Sequence, residues 1–474
     1  MSTVLETDIC VIGGGSAGLS VAAGAVQMGA RVVLVERGAM GGDCLNYGCI
    51  PSKALLKAGR VARSAGKASA FGIDATAQVD FARVKQHVAG VIAAIAPHDS
   101  VERFEGLGVT VIQATARFTG PDEIEAGGQR IRARRFVIAT GSSPAVPPIP
   151  GLADSAFLTN ETIFALEERP AHLVIIGGGP IGLEMAQAHR NLGSQVTVVE
   201  AARIAGKDDA ELVGLLRQRL LADGIVLCEQ TKVLAVGPAP EGGLRVMVEK
   251  DGVASDIVGS HLLVATGRRP NIADLGLDAA GIAHTNTGIT VDARLRTSNR
   301  RIFAIGDVAG PYQFTHMAGY HAGIVIRNAL FRLPARVDYS AVPWATYTDP
   351  ELAQVGMGEE EALRAHDDVR VLRWPFAEND RAQAERATEG LVKVFVRRNG
   401  RILGAAIYGP QAGELIHLWA LAISRKMKIG AIAGLILPYP TLGEASKRAA
   451  GSFYTPSLFG ERTRKLVRFL LKLP

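Results

Sequence analysis

Cys44 and Cys49, with four residues between them, carry the clearest capacity for chemistry in this chain. They lie in GGDCLNYGCIPSKALLKAG, where Pro51 reads as the opening turn of a helix. A thiolate is stabilised at a helix N-terminus and by a nearby cation such as Lys53, so a cysteine placed there is prepared for exchange chemistry. A zinc site would need further ligands at short spacing, and neither Cys10, in the first strand, nor the isolated Cys228 supplies them. Two unrelated buried thiols are the other reading, but it leaves the glycines and the Pro-Ser-Lys unexplained. Cys10 and Cys228 lack such surroundings and read as packing residues.

Two glycine-rich strand–turn–helix units flank this pair in the sequence. An apolar run from Ile9 to Ile12 leads into Gly13-x-Gly15-x-x-Gly18, a small-residue helix, and a second strand ending at Glu36. The pattern returns as Gly177-x-Gly179-x-x-Gly182 with an acid at Glu200, at the same offset. Glycines let the backbone turn sharply and approach a pyrophosphate, whose charge meets the helix N-terminus, and the acid can accept the hydroxyls of an adenosine ribose. One such motif is weak; two in the same strand–turn–helix context predict two bound dinucleotides. Two shorter echoes, FVIATGSSP (136–144) and LLVATGRRP (262–270), mark where each unit closes. RIFAIGDVAG places Asp307 at the end of another apolar strand, where it serves a ligand or caps a helix.

With these motifs the chain resembles the pyridine nucleotide-disulfide oxidoreductases, the family of lipoamide dehydrogenase, glutathione reductase and mercuric reductase, from Thr7 to about Phe453. The resemblance implies an α/β fold: two Rossmann-like dinucleotide-binding domains, for FAD and NAD(P), and an α+β C-terminal dimerisation domain. The expected boundaries are 1–145 and 267–338 for a discontinuous FAD domain, 146–266 for the NAD(P) domain, 339–460 for the dimerisation domain, and 461–474 for a basic tail. WATYTDPELAQVGMGEEEA (344–362) looks like the start of the dimerisation domain. It implies a homodimer and an electron path from NADH through FAD to a Cys44–Cys49 disulfide, then to a small-molecule acceptor. Cys49 is then the thiol beside the flavin and Cys44 the one that exchanges. On the FAD side it assigns Gly13, Gly15, Gly18, Glu36, Gly42, Lys53, Ala116, Thr140, Gly141, Asp307 and Thr315. On the nicotinamide side it assigns Gly177, Gly179, Gly182, Glu184, Glu200 and Gly267, with Glu184 close to both rings. Glu200 favours NADH by repelling a 2′-phosphate, while Arg203 leaves NADPH as the less favoured choice.

One departure bears on the acceptor. Disulfide-reducing members carry a His-Pro-Thr segment whose His, from the partner subunit, is the acid–base for the exchanging thiol. Here LPYPTLGEASKRAAGSF keeps Pro440, Thr441 and Glu444 but puts Tyr439 in the place of the His. Tyrosine, with an ordinary pKa near 10, is a poor base at neutral pH, and such help is worth about a hundredfold to ten-thousandfold. Tyr439 and Glu444 therefore complete the catalytic set in a form that counts against efficient lipoamide or glutathione reduction. The tyrosine pattern resembles mercuric reductase, but no cysteine follows Cys228, so the metal-delivering C-terminal pair is missing. His316, His321 and His417 read as structural. Direct flavin reduction of a quinone or metal ion, and a redox-sensing binding protein, are the remaining alternatives.

At 474 residues, 48% hydrophobic and 21% charged, the chain has room for about three domains. Its net charge of +6 is concentrated in the last fourteen residues, so the body is nearly neutral and no nucleic-acid surface is expected. The absence of a basic-then-apolar leader and the sparse cysteines lead to a cytoplasmic expectation. In the tail, Leu466, Phe469, Leu470 and Leu473 share one helical face, with Lys465, Arg468 and Lys472 on another. Packing on the protein body is the favoured expectation, and weak peripheral membrane contact the alternative.

Overall fold

The computed structural model describes residues 4–240 and 242–474. Val- and Ile-rich runs bounded by glycines form the strands of the first sheet. Leu5–Ile12 lies at its centre, parallel to Val32–Glu36 on one side and to Gln129–Ile138 on the other. Val109–Gln113 extends the sheet beyond Val32–Glu36. Ala116–Gly120 and Glu123–Ala126 form an antiparallel arm leading into Gln129–Ile138. The chain leaves this sheet after Ile138 and returns as Ile302–Ala304, parallel to Gln129–Ile138. One buried layer on it contains Ile12, Val35, Ile138 and Ile302, and another contains Val11, Leu34, Val137 and Phe303.

Between departure and return comes a second parallel sheet, ordered Val226–Cys228, Gln195–Val199, His172–Ile176, His261–Val264 and Phe157–Leu158. A three-stranded antiparallel sheet of Lys232–Pro238, Leu244–Lys250 and Val253–Gly259 accompanies it. The outgoing and returning strands, Ser142–Pro144 and Arg268–Pro270, pair antiparallel, with Arg268 opposite Pro144. The two sheets repeat one local design. Ala139 N donates to Ile12 O at 2.8 Å, and Ala265 N donates to Ile176 O at 2.8 Å. Each Ala-Thr-Gly echo thus closes beside the first glycine of its fingerprint.

The last sheet is antiparallel, ordered Pro343–Thr346, Glu351–Gly356, Ile402–Gly409, Leu391–Arg397 and Val369–Pro375. Helices Ala412–Ser424 and Glu444–Ser452 pack on it through Trp419, Ile416, Ala445 and Ala449. It is tied to the second unit by Lys393, only 1% exposed, whose Nζ stands 2.8 Å from Asp209, 2.8 Å from Glu211 and 2.5 Å from Glu359. A buried cation surrounded by three carboxylates holds these surfaces in one register.

The tail departs from its expectation. Phe453 and Tyr454 pack against the last core, but no residue from Thr455 to Pro474 is buried. The helix Glu461–Leu470 forms as the periodicity predicts, yet its apolar face does not pack on the body.

Candidate active site

Glycines bring the cysteines to the first fingerprint. Gly41 and Gly42, at φ of 86° and 59°, turn the chain into the short helix Gly42–Asn46 that carries Cys44. A Cβ on Gly42 would lie 2.7 Å from the Cα of Gly15, and Gly15 and Gly41 form a bridge. The cysteine loop therefore rests directly on the fingerprint turn. The following helix runs Cys49–Gly66, starting two residues earlier than Pro51 led us to expect. Proline is tolerated anywhere in a first turn, where N–H groups have no intrahelical partner, so it does not mark the first residue. The correction places Cys49 itself at the helix N-terminus.

Electrostatics separate the two thiols. Cys49 is pushed down to about 6, first by the hydrogen bond from Cys44, then by Thr315 and the charge of Lys53, against burial and Asp43. Thr315 Oγ1 stands 3.4 Å from its sulfur. Cys44 is pushed far up, chiefly because its proton is held in the bond to Cys49, with burial adding to this. The arrangement favours ionisation at Cys49 and retention of the proton at Cys44. Cys10, fully buried in the first strand, is driven up by burial alone, and Cys228 is raised by burial as well.

Lys53, one turn into the helix, reaches Glu184 Oε2 at 2.9 Å. Glu184 is 5% exposed in its side chain, and its other oxygen accepts from Tyr347 N at 3.0 Å. The Lys53 ammonium also sits 4.4 Å from the centre of the Tyr347 ring. Burial opposes the charge on Lys53, and Glu184 outweighs that to raise its pKa. The cation beside Cys49 is thus held by the second fingerprint helix, Pro180–Asn191, and by the strand end after Thr346.

A second network fixes the loop from below. Arg268 Nη2 stands 3.0 Å from Asp43, next to Cys44, and Arg268 Nε donates to Ser142 Oγ at 2.7 Å. Ser142 donates to Asp307 at 2.6 Å, and Asn160 donates to Asp43 at 2.9 Å. Burial raises the Asp307 carboxyl, while Ser142 and Arg268 oppose the shift. Thr140 Oγ1 donates to Asn271 O at 2.7 Å, and Gly141 at φ 67° continues the turn. Ala116 is buried at the start of its strand, opposite Ala126.

Both fingerprints fit a dinucleotide. A Cβ would meet Ala139 O at 2.3 Å from Gly13 and Gly13 O at 1.8 Å from Gly18; the matching figures are 2.4 Å for Gly177 and 2.0 Å for Gly182. These positions require bare backbone for internal packing. The middle glycines differ: a Cβ on Gly179 would meet nothing within 4 Å, and one on Gly15 only Gly42 Cα at 3.7 Å. Open space at that position is where a pyrophosphate must approach. Glu36 accepts from Gly14 N and from Gly38 N at 2.6 Å, and Glu200 accepts from Gly178 N at 2.7 Å and Ala202 N at 2.8 Å. Each acid thereby braces its own glycine turn from the end of the second strand. Arg203 donates to Gly206 O and Asp208 O, both at 3.1 Å. Gly267 adopts φ 124° with open space around it.

The remaining candidates fall elsewhere. Tyr439 is 70% exposed and donates to Asp380 at 2.8 Å, a bond that raises its pKa further from neutrality. Glu444 lies 3.5 Å from Thr441 N, at the start of its helix. His321 is buried, accepts from Gly306 N at 3.2 Å, pairs with the Tyr339 hydroxyl at 3.1 Å, and is lowered to about 4 by burial. His316 stacks on Phe314, and His417 is exposed beside Glu414. Tyr347, Arg268, Asp43, Ser142 and Asp380 escaped the sequence reading. All but Asp380 lie within quoted motifs, but the meeting of Tyr347 and Arg268 with the cysteine segment is a tertiary event.

This geometry has known counterparts. Residues 7–322 match the pyridine nucleotide-disulphide oxidoreductase family, and residues 342–450 match its dimerisation domain. The chain belongs to this family. It is 37% identical over 457 residues to a dihydrolipoyl dehydrogenase of Geobacillus stearothermophilus, covering 94% of this chain and 96% of that one. It is 34% identical over 450 residues to a mercuric reductase of Lysinibacillus sphaericus, covering 94% and 82%. Among solved structures it is similar to the Cu(II) complex of the HOCl-induced flavoprotein disulfide reductase RclA from Escherichia coli. That match has a TM-score of 0.85 and 28% identity, and covers 94% of this chain and 99% of that one. The chain is therefore a flavin-dependent pyridine nucleotide-disulfide oxidoreductase, using FAD and NAD(P)H, with a C-terminal dimerisation domain. No helix among the described residues is long and apolar enough to cross a membrane.

Proposed function

We propose that this enzyme uses NADH to reduce a thiophilic metal ion, Cu(II) being the test case, through Cys44 and Cys49. The observation that carries the reading is that the Tyr439 hydroxyl donates a hydrogen bond to Asp380 and so offers no base, beside a thiol pair in which Cys49, at a helix N-terminus and near Thr315, is favoured to ionise over Cys44. A disulfide substrate needs a base to activate the attacking thiol. A metal ion does not, because coordination itself deprotonates a thiol. Two Cu(II) ions taking one electron each would leave two Cu(I), the Cys44–Cys49 disulfide and one proton from Cys44. The mercuric reductase relatives and the Cu(II) complex of RclA support this choice of acceptor.

Bound FAD would carry two electrons from the nicotinamide to the disulfide and so restore the dithiol. Gly13, Gly15, Gly18, Glu36, Gly42, Ala116, Thr140, Gly141, Asp307 and Thr315 would hold it, with Lys53 beside it. Gly177, Gly179, Gly182, Glu184, Glu200 and Gly267 would hold the nicotinamide cofactor. We read that cofactor as NADH, since the Glu200 carboxylate after the second strand would repel a 2′-phosphate and Arg203 is engaged by two carbonyls of its own loop. The dimerisation domain supports a homodimer.

The test is anaerobic NADH oxidation with Cu(II) or lipoamide, using the native protein, Cys49→Ser and Tyr439→His. Native turnover with Cu(II), negligible turnover with lipoamide, and at least a tenfold gain with lipoamide in Tyr439→His are expected. Cys49→Ser is expected to abolish both. Robust native lipoamide turnover would overturn the acceptor assignment, and Cu(II) turnover surviving in Cys49→Ser would move the electron exit away from the thiols.

A further inference from the structure

The chain beyond the family's dimerisation domain, which ends at residue 450, has a design of its own. Helix Glu461–Leu470 starts after Gly460 and is tethered to the preceding turn by Thr463 Oγ1, which donates to Ser457 O at 2.6 Å. Leu466, Val467, Phe469 and Leu470 line one side, and Leu471 and Leu473 continue the apolar surface past the helix end. Leu458 and Phe459 add to it from the turn before, and all eight side chains are between 46% and 79% exposed. Arg464, Lys465, Arg468 and Lys472 fall together on the opposite side by their spacing, while Arg462, in the first turn, falls at the N-terminal edge of the apolar side. The segment's one acid, Glu461, pairs with Lys465 at 2.9 Å, the one ion pair among the described residues to involve a base of this tail.

We infer that this tail is an interfacial anchor that lays the enzyme on an anionic lipid surface. Neither half of the design needs the other for packing within the chain, yet together they match such a surface. The apolar side enters the acyl boundary while the bases remain at the level of anionic headgroups. A second copy of the tail is a poor alternative occupant, because it would bring one cluster of four bases against another. An acidic protein groove would complement the bases but not the eight exposed apolar side chains around them. A single short helix binds weakly, so both contributions are required, and two tails on one dimer would strengthen attachment by avidity. The inference is independent of the acceptor, since it uses no residue of the thiol site.

The test is flotation of the full-length flavoprotein with phosphatidylcholine vesicles containing phosphatidylglycerol or lacking it. Binding to the phosphatidylglycerol vesicles alone, reversed by raising salt, is expected. Arg464→Gln with Arg468→Gln is expected to weaken it about thirtyfold, at about fivefold per charge. Leu466→Glu, Phe469→Glu and Leu470→Glu together should weaken it at least tenfold, with NADH–dye turnover unchanged as evidence of folding. Failure of the native protein to float, or equal flotation without phosphatidylglycerol, overturns the inference. So does a triple variant that converts a dimer to monomers in light scattering, because a second copy would then cover this face.

Discussion

Thr315→Val removes one hydrogen-bond donor from Cys49 and leaves nearly the same shape. Its hydroxyl lies 3.4 Å from the sulfur and is one of the groups holding the thiol near 6. A hydrogen bond to a charged group is worth about 1.5–3 kcal/mol, and the low end suits a long contact to sulfur. At about 1.4 kcal/mol per pH unit, the Cys49 pKa should rise by about one unit, to near 7. The thiolate fraction then falls about fivefold at pH 6 and about twofold at pH 7, with no change at pH 9. The assay is the iodoacetamide rate at the Cys49 peptide, followed by mass spectrometry in reduced protein across pH. A Cys44→Ser background keeps a donor toward Cys49 while removing the competing thiol. Thr315→Ser should retain the native profile. A Thr315→Val profile displaced by less than about 0.3 unit, or an equal displacement in Thr315→Ser, would refute the role given to this hydroxyl.

Lys53→Met should destabilise the fold by about 3 kcal/mol in urea unfolding, because it strands the buried Glu184 carboxylate; the low end applies since Lys53 itself reaches solvent. Adding Glu184→Gln should recover part of that loss. Lys393→Met should cost about 3–5 kcal/mol by leaving Asp209, Glu211 and Glu359 without their shared cation. Glu211 is lowered from 4.5 to about 2, mainly by Arg373 and also by Lys393, so its share is full above pH 4.5 and fades as pH falls toward 2. The gap between native and variant stability should therefore narrow in acid. Gly18→Ala would place a methyl 1.8 Å from Gly13 O, and the protein should purify without yellow colour; a full flavin spectrum would contradict that.

Much of this architecture is legible in one dimension because its determinants are local. A strand, three glycines, a helix and an acid occupy a short stretch, and each copy folds as one unit whose echo hydrogen-bonds back beside its first glycine. The cysteine loop was legible for the same reason, apart from the helix start, since proline does not distinguish positions within a first turn. Tyr347, Arg268 and Asp380 were not legible as site residues. Their meaning comes from contacts between segments far apart in the chain, such as Arg268 with Asp43 and Tyr347 with Glu184. The tail shows the opposite limit: its periodicity predicts the helix, but periodicity does not say what the apolar face meets.

In the proposed function, electrons from the nicotinamide reach Cys44 and Cys49. The most direct test is to trap thiols before and after anaerobic addition of NADH to the oxidised flavoprotein, then count label at each cysteine peptide. Cys44 and Cys49 should be protected before NADH and labelled together after it, with Cys10 and Cys228 unchanged. Labelling of the pair that is the same with and without NADH would contradict it.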